Sequence, residues 1–157
     1  MSKKKENKSE RIYTLRLTDK QVRVLSYACD RFSRLICGQG WTFQELMEEA
    51  WEKRCKKATG KMMDEKWNGG WHNMRSEAEN ICHEVKRRFW GLERNAMFGV
   101  GYDDTADILY DVYQVLRHQL WLDRPDSEKS TITVDASEAM RFGSEPLAHI
   151  ERTGEKI

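Results

Sequence analysis

A chain of 157 residues and 18.6 kDa is the size of one domain. Hydrophobic residues make up 39% and charged residues 34%, a lean mix, yet six Trp, five Tyr and five Phe supply enough bulky apolar surface to exclude a disordered chain. Two Pro and ten Gly exclude a collagen-like or Pro-rich linker protein, no stretch approaches the roughly 20 apolar residues of a membrane span, and the opening MSKKKENKSE lacks the apolar run of a secretory signal. A cytosolic protein without membrane contact is expected.

The formal net charge of +1 hides an asymmetry. Residues 1–94 carry 21 Lys plus Arg against 14 Asp plus Glu (+7), and residues 95–157 carry 6 against 12 (−6). Such a chain can pair its own halves or a second copy, and its basic half can attract a phosphate-bearing ligand.

The elements follow in chain order. Residues 1–10 read as a charged tail and 11–157 as a single α+β domain. In 11–17, RIYTLRL, Tyr13, Leu15 and Leu17 alternate with Thr14 and Arg16, which predicts a strand. Thr18 and Gln21 have capping-box spacing, and Val22, Leu25, Cys29, Phe32 and Ile36 predict a helix that Gly38-Gln39-Gly40 ends. Thr42 and Glu45 suggest a second capping box, before a stripe of Leu46, Met47, Ala50 and Trp51 and a cationic end at Lys53, Arg54, Lys56 and Lys57. At 58–72 the periodicity fails, and an irregular excursion is expected.

Met74, Ala78, Ile81, Val85 and Phe89 mark a third helix, with Lys86-Arg87-Arg88 near its end and Gly91 beyond. A glycine-containing turn at 95–102 leads to Asp103, Asp104 and Asp107, carboxylates suited to a helix N-terminus. Ile108, Leu109, Val112, Tyr113, Leu116 and Leu120 then form the widest apolar stripe, so this fourth helix should be central. Strand patterns at 131–134 and 147–152 complete the expectation: about four helices packed on a small, mostly antiparallel sheet of N- and C-terminal strands. Its edge strands and helical stripes invite self-association.

The chemistry is sparse. Cys29, Cys37, Cys55 and Cys82 read as buried thiols: Cys29 and Cys37 are about 12 Å apart by helical rise, too far to bridge, and neither CxxC nor HxxxH spacing occurs, so no metal is expected. GxSxG, P-loop, GxGxxG and the zinc-deaminase pattern are absent, and Asp103-Asp104 reads as helix capping. No catalytic residues and no cofactor are expected. The strongest polar constellation is YQVLRH at 113–118, which sets Gln114, Arg117 and His118 beside the apolar stripe. Arg117 offers a planar fork matched to phosphate oxygens. Arg34, Arg88, Arg124 and Arg141 could join it, with Phe98, Tyr102 or Trp90 as flat faces for a purine. The competing reading pairs Arg117 with Asp111 or Glu145.

Five segments carry a resemblance: the opening strand, FSRLICGQ at 32–39, NAMFG at 95–99, LYDVYQVLRH at 109–118 and GSEPLAHI at 143–150. Together they resemble the type-one anti-Thoeris family of phage proteins, over most of residues 11–152. The resemblance implies a non-enzymatic immune-evasion protein that sequesters cyclic ADP-ribose isomers and cyclic oligonucleotides. It also implies assembly as dimers or hexamers with pockets between subunits, in the cytoplasm of an infected bacterium. Carried over by matching motif, the ligand-binding residues are Arg117 and His118, then Asn95, Phe98, Arg34 and Gln39; the residue reading adds Tyr102 and Arg141. The basic tail and the 58–72 excursion depart from the family pattern. Two alternatives stand beside this expectation: a nucleic-acid-binding regulator using Lys86, Arg87, Arg88 and the Lys3–Lys5 tail, and a protein-binding inhibitor of a host factor. The acidic second half and the lack of a clear recognition helix disfavour nucleic acid.

Overall fold

The computed structural model describes residues 12–59 and 65–154. The charged tail and Arg11 lie outside them. Four α-helices form among the described residues: α1 (Asp19–Ile36), α2 (Trp41–Thr59), α3 (Glu65–Trp90) and α4 (Asp104–Leu122). Two short 3-10 turns follow, Asp126–Glu128 and Val134–Ala136. No strand forms among the described residues, so the α+β expectation is corrected to an all-helical fold. None of the helices there is long and apolar enough to cross a membrane.

Helix α1 starts as its sequence dictates. The Thr18 amide donates to Gln21 Oε1 at 2.8 Å and the Gln21 amide to Thr18 Oγ1 at 3.2 Å, a complete capping box. At the other end Gly38 adopts φ 75°, the left-handed conformation that glycine alone takes without strain.

The packing of α1 differs from its apolar pattern. Ser26, Cys29 and Ser33 are its buried residues, while Leu25 and Phe32 are 37% and 55% exposed. Small side chains let α1 lie close against α4, its main packing partner, and that leaves the larger apolar residues rotated away. The two helices run antiparallel: Asp103 and Asp107 at the start of α4 lie near Cys37, and Asp123 at its end acts on Arg23. Helices α2 and α3 pack on each other, with a lighter contact between α1 and α2. That contact is ionic, Arg31 pairing with Glu45 and Tyr27 donating to Glu49 at 2.7 Å.

The capping box expected at Thr42 is not formed. Helix α2 begins at Trp41, two residues before the start that a Thr42 cap implies, and Arg31 draws Glu45 away. Thr42 is fully buried, and its hydroxyl has no partner among the described residues. The excursion expected at 58–72 is also narrower, since α2 runs to Thr59 and α3 starts at Glu65. Glycine and asparagine lower helix propensity there, but only by about 1 kcal/mol each, which the helix on either side outweighs.

Neither C-terminal strand pattern, 131–134 or 147–152, forms a strand, and the segment between them is held by α4 instead. The backbone after Ala136 is a non-helical strap, and its amides at 140 and 142–144 go to side chains of α4. Gln114 and the Met140 peptide bond each other reciprocally, at 2.9 and 3.3 Å. The Phe142 amide donates to both oxygens of Asp111 at 3.0 Å, and the Gly143 amide to Asp111 Oδ2 at 2.8 Å. The Ser144 amide and hydroxyl donate to Asp104 at 2.7 and 2.6 Å. A helix face of carboxylates and amide groups thus fills the role that a neighbouring strand would play. Gly143 is required by proximity: a Cβ there would fall 2.7 Å from Ile108 Cγ1 and 2.9 Å from the Ile108 nitrogen.

These bonds also account for much of the acidic excess. Asp103 caps Ala106, Asp107 accepts from Gly101, and Asp104 and Asp111 hold the strap. The acids serve the backbone of their own half of the chain.

Candidate functional site

Residues four apart on a helix share a face. Asp30 and Arg34 therefore neighbour each other on α1, and Tyr113 and Arg117 on α4. Arg34 Nε donates to Asp30 at 2.7 Å, and Arg34 Nη1 reaches Gln39 Oε1 at 3.2 Å. The Arg117 guanidinium lies 5.4 Å from the Tyr113 ring centroid, and its Nε is buried without an acceptor among the described residues. Asp111, one partner proposed for it from the sequence, is occupied by the strap. Burial, and next Asp30, push the Tyr113 hydroxyl above its ordinary range against the pull of Arg117 and Arg34. These four groups share one electrostatic neighbourhood at the α1–α4 seam.

An aromatic pair lies at the C-terminal end of α1. The Phe98 amide donates to the Cys37 carbonyl at 3.0 Å, which docks the 95–102 turn on the end of α1 beside Gln39. Phe98 and Tyr102 stack with centroids 3.5 Å apart and ring planes 1° from parallel. Their inner faces cover each other, and half-exposed Tyr102 keeps an outer face for a flat ligand.

Of the eight residues singled out from the sequence, Arg34 and Arg117 act on Tyr113 at this seam and Gln39 is bonded to Arg34, while Phe98 and Tyr102 stack on the turn at the end of α1 with no bond to Arg117 among the described residues. His118 belongs to neither group. Its Nδ1 donates to the Asp135 carbonyl at 3.1 Å and its ring lies 5.7 Å from Trp121, so it fastens the last 3-10 turn to α4. Arg124 supports the same turn through Asp135 at 2.8 Å. Asn95 and Arg141 are exposed, on the turn and the strap respectively, and no bond ties either to the seam among the described residues. Sequence reasoning gave no binding role to Tyr113 and Asp30, although their four-residue spacing to Arg117 and Arg34 is a readable signal. It also treated Gly38 only as a helix stop. A Cβ at Gly38 would lie 2.9 Å from Leu92 and 3.8 Å from Phe98, so its smallness admits the turn.

The basic run expected to serve a nucleic-acid regulator is dispersed. Lys86 is 1% exposed, its ammonium donating to the Arg94 carbonyl at 3.1 Å above the Trp41 ring, and burial lowers its pKa. Arg87 and Arg88 both bind Glu84, at 2.9 and 2.7 Å. A concavity of about 330 Å³ lies on a different face of α1, lined by Lys20, Gln21, Val24, Leu25 and Ala28. The arginine seam, with its fixed polar groups, is the better candidate for recognition chemistry, because that concavity is open and apolar. Comparison with protein-family models, curated proteins and solved structures found no match.

Proposed function

We propose that this chain binds a cyclic nucleotide signal, a cyclic ADP-ribose isomer or a cyclic oligonucleotide, and holds it without cleaving it. In this reading it is a phage anti-defence protein acting in the cytoplasm of the infected bacterium. The observation that carries the proposal is Arg117, a guanidinium stacked on Tyr113 with no carboxylate partner among the described residues and its Nε unsatisfied. A phosphate supplies the missing acceptor. In this reading Arg34, which acts on Tyr113 as Arg117 does, reaches the same anion, and Tyr102 offers a face to an adenine.

Binding without catalysis is supported by the neighbours of Arg117. A phenol, an amide and an arginine already bound to Asp30 make no activated nucleophile and no oriented base. Sequestration of a scarce signal requires a nanomolar Kd, about −12 kcal/mol. Charge-assisted hydrogen bonds contribute about 1.5–3 kcal/mol each and base stacking about 1–3 kcal/mol, so two arginine contacts and one stacked base supply much of it once water is excluded. A second copy of the chain, in a dimer or hexamer, would close the open side of the seam.

Calorimetric titration with cyclic ADP-ribose isomers tests the reading, followed by heat denaturation and mass spectrometry of the released molecule. Tight binding and recovery of the intact cyclic molecule are expected. Arg117→Ala should stay folded and bind tens to hundreds of times more weakly, the equivalent of about 1.5–3 kcal/mol. No binding by the unaltered chain, unchanged affinity in Arg117→Ala, or a hydrolysed product would overturn it.

A further inference from the structure

The α1–α4 seam holds a carboxylate beside its arginines. Asp30 is midway between Arg23, which lies near Asp123, and Cys37, which lies near Asp103 and Asp107, so the antiparallel register sets it opposite the middle of α4. There it accepts from Arg34 Nε at 2.7 Å and acts on the Tyr113 hydroxyl together with Arg117 and Arg34. An ion pair that only supports a helix stays on its wet side, as Asp19 and Arg23 do on α1 with side chains 67% and 55% exposed. The Asp30 side chain is 14% exposed. A covered carboxylate next to arginines limits the negative charge that they can accept from a ligand.

We infer that Asp30 is a specificity residue, which makes the seam select phosphates bonded on two sides, with one negative charge each, over terminal phosphates, which carry close to two at neutral pH. The inference rests on the nucleotide reading and deepens it by naming the kind of phosphate bound.

The reason is a count of charges. Arg34 is matched by Asp30, which leaves Arg117 as the guanidinium without a carboxylate among the described residues. One singly charged phosphate matches Arg117 and leaves the seam neutral. The second charge of a terminal phosphate finds both arginines already matched, gives up part of its water, and sits beside the Asp30 carboxylate. Arg117 Nε is buried, so an anion that reaches it enters a place where solvent and salt screen this repulsion poorly. Gln39 holds the second arm of Arg34 at 3.2 Å without adding charge, so the selection falls to Asp30.

Calorimetric titration of the full chain at neutral pH with adenosine monophosphate and with its phosphate methyl ester tests this, because the two share base and sugar and differ in one charge. The unaltered chain should bind the ester about tenfold more tightly. Asp30→Asn keeps an acceptor for Arg34 and removes the charge, so it should gain affinity for the monophosphate and close the gap, with helix content checked by circular dichroism. Should that variant unfold, Arg34→Gln gives the converse: Asp30 then opposes Arg117, the gap should widen, and a narrower one would overturn the inference. Equal affinities in the unaltered chain, a preference for the monophosphate, or a gap that persists in folded Asp30→Asn would overturn it and leave the nucleotide reading standing, since both compounds are then bound. Binding of a cyclic ADP-ribose isomer but of neither compound would overturn the inference alone, and binding of none of the three would overturn both.

Discussion

Replacing Asp111 by Ala tests whether the strap is held by α4. Asp111 is 4% exposed, and its carboxylate takes the amides of Phe142 and Gly143. Phe142 is 37% exposed, so its amide can turn to water when the acceptor is lost; Gly143 is buried and cannot. The loss is therefore one buried charge-assisted bond plus a partly rehydrated second, about 2–4 kcal/mol. For a domain of this size each kcal/mol moves Tm by about 2–4 °C, so a fall of roughly 5–15 °C is expected. Asp111→Asn keeps one acceptor oxygen and should fall between. Thermal and urea unfolding measure the loss, and hydrogen exchange at the Phe142 and Gly143 amides locates it. A loss under about 0.5 kcal/mol, or undiminished protection at Gly143, would refute the account of the strap.

Three further outcomes follow from the same structure. Gly143→Ala puts a methyl into the α4 backbone and should cost about 1–3 kcal/mol; combined with Asp111→Ala it should add little, because both release the same segment, and fully additive losses in urea unfolding would contradict that. Bonds from Ser144 hold the Asp104 carboxyl below its ordinary 3.8. That lowered value means its stabilising contribution is present above about pH 4 and is lost as pH falls through the folded-state value. Limited proteolysis of the strap should accelerate there in the unaltered chain, and Asp104→Asn should flatten the profile. Burial lowers the Lys86 pKa from its ordinary 10.5, so the folded chain releases that proton before the unfolded one does. Stability relative to Lys86→Met should rise as pH climbs from neutrality toward 10.5, and a constant difference in Tm would show that the ammonium is not desolvated.

The helices were legible where local chemistry decides them: the Thr18 capping box, the Gly38 stop and the acidic start of α4 all stand as their residues dictate. The sheet was misread because period-two alternation in 11–17 and β-branching at 131–134 report an extended preference, not a pairing partner. The segment that α4 side chains do hold, 140–144, lies between the two C-terminal patterns, a long-range attachment that no window of sequence displays. The core of α1 was misread for a related reason. Cys29 of the expected stripe is buried, but periodicity finds apolar stripes, and Ser26 and Ser33 share that buried face by being small enough for close approach. At the candidate site, Arg117 and Arg34 were visible as residue types, and their meeting depended on the antiparallel pairing of α1 and α4. His118 stands next to Arg117 in sequence yet faces another segment, as consecutive helical residues point about 100° apart.

The pairing of the first helix with the last also bears on how the chain matures during synthesis. Helix α1 leaves the ribosome early, while the surface that covers Ser26, Cys29 and Ser33 is made only after α2 and α3. Until then α1 has only the ionic edge of α2 beside it, and α2 and α3 can close on each other as neighbours. A nascent chain stalled before α4 would expose both sides of its first helix, and the strap would have nothing to fasten to. Acquisition of the native state is thus deferred until α4 has been made, a slower route than that of a bundle whose successive helices pack in order.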